Sequence, residues 1–411
     1  MIEYKKLTLD NGMTVMLHRD RVSEMAAVNV LYRVGARNEN PLRTGFAHLF
    51  EHLMFRGTRR VPDFDSPVQL ACGENNAFTT NDYTDFYIAL PKDNIETALW
   101  LEADRVNGLN INFKSLEAEK KVVIEEFNQC YLNQPYGDQW MLLRDMAYKV
   151  HPYRWATIGA TPDHIRDATA PEVKAFYKRY YQPCNAILSL AAGLDYDRMA
   201  RLAEKWFGGI PSAPRAEDVL PAEPAQNEAR RVEVERRVPS NAITIAFRMG
   251  PRAGRQFYIC DLASDILAGG NSGRLYQRLV KDKRLFSSVN AYMTGELDPG
   301  LFVVTGHLLP ETAVEQGERA LWSELEALNS EPPSDYDMEK VKNKFEANTI
   351  FGELNVMNKA MNMGFYEMLG KAELINTEVD IYRSITREEV VATARELFDP
   401  RSSSTLIYHA I

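Results

Sequence analysis

PSAPRAEDVLPAEPAQN, residues Pro211–Asn227, divides this chain in two. Four prolines among Ala, Glu and Ser, with no apolar period, describe a connection and not a structural element. It leaves residues 1–210 before it and 228–411 after it, each within single-domain size. Outward from this connection the two parts read alike. Met13–Leu17 and Ala26–Val34 alternate as strands and lead into Gly35-Ala36-Arg37. Arg231–Val238 and Ala242–Met249 alternate in the same way and lead into Gly250-Pro251-Arg252. Helical stretches follow at Thr44–Phe55 and Phe257–Leu267. Each part closes on a helix and a strand: Pro171–Tyr181 then Asn185–Ala192, and Arg387–Phe398 then Ser404–Tyr408. The pattern is that of a diverged internal duplication. Strands beside strands and helices beside helices predict an α+β fold with two homologous domains.

Composition narrows the function classes. A net charge of −9, from 48 Lys and Arg against 57 Asp and Glu with no basic block, excludes an electrostatic nucleic-acid surface. The longest local apolar run, Ala186–Leu194, is half of the roughly 18 residues a membrane span needs. Cys72, Cys130, Cys184 and Cys260 form no C-x-x-C pair and are too few for a disulfide scaffold, so core thiols in a reducing compartment are expected. The start MIEYKKLTLDNG shows no export or organelle signal, and a cytoplasmic location is the expectation.

Two of the seven histidines stand in His48-Leu49-Phe50-Glu51-His52. Phe46, Leu49, Phe50, Leu53 and Met54 make an apolar helical stripe around them, and Gly57 is placed to end it. Four residues apart, His48 and His52 share a helix face and can bind one zinc ion without strain. Glu51 sits where it can take a proton from the water that the metal activates. A catalytic zinc needs a third protein ligand. In Ser115–Tyr131, Glu119 and Glu126 lie two turns apart on one face with Val122, Val123, Phe127 and Cys130. A carboxylate on an apolar face needs a cation or a metal. Glu126 is therefore the expected third ligand and Glu119 the carboxylate that orients a ligand imidazole. Glu125 points roughly 100° away, toward solvent. His18, His151, His164, His307 and His409 carry no partner spacing.

The sequence resembles the pitrilysin/insulinase metallopeptidases, a family of inverzincins, and in particular short bacterial members akin to the mitochondrial processing peptidase beta subunit. The residues that carry this are Gly35–Glu39, Gly45–Thr58 with its inverted H-x-x-E-H, Gly73, Asn76–Thr79, Thr84 with Tyr87, and Glu119–Glu126. Weaker likeness extends through His151-Pro152, Ile158-Gly159 and Gly269–Leu275. The resemblance implies a zinc-dependent endopeptidase acting on peptides or unfolded polypeptide. It assigns Zn2+ to His48, His52 and Glu126, general base catalysis to Glu51, and support to Glu119. It also implies two α+β domains per chain, each a mostly antiparallel sheet packed with helices. Four such domains close a clamshell chamber, so a homodimer or a heterodimer with a related chain is expected. Asn75–Thr80 matches an edge strand to which a peptide adds by main-chain bonds, with Asn76, Ala77 and Phe78 as contacts.

One stretch departs from the family. Many relatives carry an Arg and, seven residues on, a Tyr that bind the substrate backbone. Here Lys281 stands at the Arg position and Phe286/Ser287 where the Tyr should be. Lys lacks the guanidinium fork, which puts that contact in doubt. The alternative from another class is a non-catalytic structural or assembly subunit of the same fold. Such subunits generally lose the zinc motif, and this chain keeps every element of it. A closed structural zinc site would want four protein ligands, often Cys.

Overall fold

Met25–Tyr32 and Ala186–Ala192 read as nearly unbroken apolar runs because they are central strands covered on both faces. The computed structural model describes residues 1–215 and 217–411; Ala216, inside the Pro211–Asn227 connection, lies outside the described residues. The chain forms two compact units, one of residues 1–128, 155–221 and 350–377, the other of residues 129–154, 222–349 and 378–411.

The first unit holds a six-stranded sheet of β1 (Tyr4–Thr8), β2 (Thr14–Arg19), β3 (Met25–Tyr32), β4 (Glu74–Thr79), β5 (Thr84–Pro91) and β6 (Ala186–Ala192). Its order is β1-β2-β6-β3-β5-β4, which leaves β4 as an edge. Only β2 and β6 pair in parallel. The second unit builds β7 (Arg230–Arg236), β8 (Ala242–Arg248), β9 (Phe286–Met293), β10 (Leu301–Leu308) and β11 (Ser403–Ala410) into a sheet ordered β7-β11-β8-β10-β9. Here only β7 and β11 are parallel. From β2 to β4 and from β7 to β9 the sheets repeat one strand order and one pattern of directions. The fold is α+β, and the duplication is visible in its topology.

Each unit also takes a helix from the other half of the sequence. Helix Val356–Met368 packs on the first sheet, where Met357, Ala360 and Met363 meet Ala27, Leu31, Ile187 and Ala191. Gly364 permits that approach, since a Cβ there would stand 3.0 Å from Asn29 Oδ1 and 3.2 Å from Ser189 Oγ. Helix Gln139–Ala147 packs on the second sheet, with Leu143, Met146 and Ala147 against Ala242, Ala246, Val303 and Leu406.

The described residues of Pro211–Asn227 form neither helix nor strand, yet the segment is fastened. In the first unit Asp218 accepts from Arg179 at 2.6 Å. In the second, Glu223 accepts the backbone N–H groups of Lys149, Val150 and His151 at 2.8–2.9 Å. The cysteines correct the expectation of core thiols. Only Cys260 is buried; Cys184 is half-buried, while Cys72 and Cys130 are exposed. Cys72 sits at a turn with φ +56°, and Cys130 lies in the π-helical turn Asn128–Leu132, where the chain leaves the regular helix. Among the described residues no helix is long and apolar enough to cross a membrane.

Candidate metal centre

The histidine-bearing helix is short, so its position depends on what holds its ends. Helix α1 (Phe46–Leu53) begins at Gly45, whose φ of +88° no β-carbon would tolerate easily, and a Cβ there would come within 2.5 Å of Ile158 O. No capping side chain follows Gly45. Instead the buried Glu39 carboxylate accepts Gly45 N–H at 2.7 Å and Ala47 N–H at 2.8 Å, satisfying two of the donors a helix start leaves open. The apolar stripe packs inward, with Phe50 stacked on Phe176 and Tyr177 and tilted against Tyr181. His48 and His52 emerge beside one another, ring centroids 4.8 Å apart.

Helix α2 (Phe113–Phe127) supplies the carboxylates. Asn112 and Ser115 form a reciprocal cap: Asn112 Oδ1 accepts Ser115 N–H at 2.9 Å, and Ser115 Oγ accepts Asn112 N–H at 3.2 Å. Its buried face carries Leu116, Glu119, Lys120, Val123 and Phe127. Val122, expected on that face, is 43% exposed. Cys130 leaves it too, because the helix widens into a π turn after Phe127. Glu119 is almost fully buried, Glu126 half-buried and Glu125 exposed.

The structure brings His48, His52 and Glu126 together, with one ligand atom from each lying within 4.8 Å of the others. His48 Nε2 is 3.5 Å from Glu126 Oε1, and His52 Nε2 is 3.1 Å from Glu126 Oε2. Tetrahedral coordination with bonds of about 2.0–2.2 Å keeps neighbouring donors roughly 3.3–3.6 Å apart; the 3.5 Å separation meets that range and the 3.1 Å one falls just under it. The donor set of two imidazoles and a carboxylate leaves a fourth position open, as catalytic zinc sites do. On the far side of its ring, His52 Nδ1 faces Glu119 Oε2 at 3.5 Å, and Glu119 is in turn held by Arg56 Nε. Arg56 did not figure in the sequence reading; it lies four residues beyond His52, in the turn that follows α1. Electrostatics around the cluster are strong. Hydrogen bonds to His48 and His52 hold Glu126 well below the usual carboxylate range. Burial alone would lower His52, but Glu119 and Glu126 raise it to about 9 in the metal-free protein.

Glu51, one turn from His48, has its Oε2 bound by the Thr79 hydroxyl at 2.7 Å. Thr79 ends β4, the edge strand that also carries Asn76, Ala77 and Phe78. Asn76 Oδ1 accepts Ala77 N–H at 2.8 Å. In the second unit, Lys281 lies in a π-helical turn and donates to Gln277 at 3.3 Å. Phe286 is 1% exposed and belongs to that unit's core, so its ring offers nothing to solvent; Ser287 is exposed and donates to His307 O.

A model described as Insulinase (Peptidase family M16) matches residues 14–158, and one described as the Peptidase M16 inactive domain matches residues 167–345. The chain belongs to the insulinase family of peptidases. Over 98% of its length it is 26% identical to the zinc protease PqqE of Helicobacter pylori, spanning 92% of that protein. The crystal structure of a protease from Helicobacter pylori matches with a TM-score of 0.94 at 26% identity, over 100% of both chains. Pitrilysin shares the fold with a TM-score of 0.82 at 17% identity; 99% of this chain is matched, but only 45% of that one. Zinc is the cofactor of this insulinase-family metallopeptidase, and His48, Glu51, His52 and Glu126 all fall within the match at residues 14–158.

Two buried carboxyls near this machinery make stability pH-dependent. Burial pushes Glu39 up to about 8 against the pull of the Ala47 and Gly45 N–H groups. It does the same for Asp85, also to about 8, against the Asn29 hydrogen bond. Both groups bind a proton more tightly folded than unfolded, where such carboxyls titrate near 4. Their contribution is complete below that pH and is lost as pH rises toward 8. The Tm of the metal-free protein should therefore fall by several degrees between pH 5 and 8.5. Asp85→Asn should flatten part of that slope, and an unchanged slope in this variant would remove Asp85 as a cause.

Proposed function

We propose that the protein is a zinc-dependent endopeptidase that hydrolyses peptides or unfolded segments of polypeptide. The observation that carries this reading is the convergence of His48, His52 and Glu126 beside Glu51 and the free edge of β4. His48, His52 and Glu126 would hold the metal, and Glu119 would orient His52. When bound, zinc supplies Lewis acidity toward the scissile carbonyl and the attacking water. Glu51 then takes the water's proton at Oε1, the oxygen not engaged by Thr79, and returns it to the departing amine. Metal analysis of the purified protein, together with peptide cleavage with and without a chelator, tests the reading. Metal-free protein with undiminished cleavage would overturn it. A non-catalytic assembly subunit would have no use for this ligand cluster.

Substrate is held, in this reading, by strand addition to β4 through Asn76, Ala77 and Phe78. Recognition then rests on main-chain groups and is tolerant of side chains. The Ala77 N–H, now turned to Asn76 Oδ1, is the donor a peptide carbonyl would take. Ala77→Pro removes it at an edge, where proline is tolerated, and should lower kcat/KM about tenfold with zinc retained. Unchanged kinetics in a folded Ala77→Pro protein would place the substrate elsewhere.

We further propose that two chains assemble, either two copies or one copy with a related chain. The length relation supports this, since the chain matches only 45% of pitrilysin. A partner could also supply the substrate-carbonyl contact that Lys281 and the buried Phe286 do not reproduce. Sedimentation at micromolar concentration should show a dimer when the correct partner is present. A fully active monomer would contradict the proposal.

A further inference from the structure

A general base works only if its carboxylate is aimed, and a glutamate has three side-chain torsions through which to lose its aim. Glu51 rides on α1, but its helix fixes only its Cα. The atom that meets its carboxylate is Thr79 Oγ1, donating to Oε2 at 2.7 Å. Thr79 itself is well anchored. Its backbone pairs with Thr84 at the end of the β4–β5 ladder. The turn that follows is tied down by Thr80, whose Oγ1 accepts Asp82 N–H at 3.1 Å and Tyr83 N–H at 3.0 Å. The loop at Ala36 and Arg37 clamps the turn from outside through Thr80 O and Asn81 O. The donor is thus held by the strand proposed to bind peptide, and the base is referenced to the substrate and not only to its own helix.

We propose that Thr79 is a positioning residue for Glu51, locking Oε2 so that Oε1 alone faces the proton to be moved. A hydroxyl suits this task because it can donate to Oε2 of the ionised carboxylate and go on donating to the same oxygen, then a carbonyl, when Oε1 carries the proton. The bond therefore survives both halves of a cycle in which Glu51 takes up and releases a proton. The proposal rests on Glu51 being the base, and the experiment separates the two ideas.

Thr79→Val keeps shape and strand propensity but removes the hydroxyl, while Thr79→Ser keeps the hydroxyl. With a peptide substrate, Thr79→Val should hold as much zinc as the parent protein and keep KM within about twofold. Its kcat should fall roughly 10–100-fold, a fraction of what a general base contributes. Thr79→Ser should recover most of the loss. In the metal-free protein, Thr79→Val should lower Tm by about 2 °C, and by clearly less when Glu51 is already Ala. If Thr79→Val keeps full kcat while Glu51→Gln is inactive, Glu51 remains the base and the positioning role is overturned. The same Tm loss with and without the Glu51 carboxylate would also overturn it. Full activity in Glu51→Gln would instead remove the base, and with it anything for Thr79 to position.

Discussion

Glu51→Gln should retain about one zinc per chain and lose peptide hydrolysis by roughly 10³-fold, within the range a general base contributes. The substitution keeps side-chain shape and an oxygen for the Thr79 hydroxyl, and it touches none of the three atoms that would ligate the metal. What it removes is a group able to accept a proton at neutral pH. Metal content by elemental analysis and single-turnover peptide cleavage read the two properties separately. Zinc loss in this variant would mean that Glu51 is a ligand. Undiminished turnover would mean that another group moves the proton.

Glu126→Ala should lose metal and activity together. Glu126 lies 3.1–3.5 Å from both imidazoles, and in the metal-free protein its negative charge is held by them. Without it, two histidines remain, too few for a catalytic zinc site. The neighbours give an ordering that chelator competition can read. Glu119→Gln, which weakens only the orientation of His52, should reduce zinc affinity about 10–100-fold. Glu126→Ala should exceed that, and Glu125→Ala, on the exposed side of α2, should leave affinity unchanged. Zinc retention by Glu126→Ala with loss in Glu125→Ala would exchange the two roles.

The metal centre was unevenly legible. The relation of His48, Glu51 and His52 is set by helix geometry alone, which a spacing of three and four residues encodes completely. Glu126 lies 74 positions beyond His52 (126 − 52), and no local rule joins them. It could be read only because a carboxylate on an apolar helix face asks for a cation. The same helix shows the limit of that argument. Val122 and Cys130 share the ideal face with Glu119, but α2 packs along a narrower stripe and widens into a π turn before Cys130. Arg56 was only partly within reach, since its spacing puts it near His52 but α1 ends at Leu53 and the turn beyond carries it to Glu119. Thr79 was not, because its bond to Glu51 exists only once β4 lies beside α1.

By itself the sequence determined the elements and their doubling. Alternation and helical period are local properties, and two copies of one pattern around Pro211–Asn227 are enough to state an α+β duplication. Only the tertiary structure decided which helix covers which sheet. Gln139–Ala147 belongs by sequence to the first half but covers the second sheet, and Val356–Met368 belongs to the second half but covers the first. An apolar stripe states that a helix must be buried, and nearly any sheet face of suitable shape will satisfy it. The choice is made by fit, as where Gly364 lets a helix settle onto Asn29 and Ser189, and fit is a property of surfaces that form only when the chain has folded.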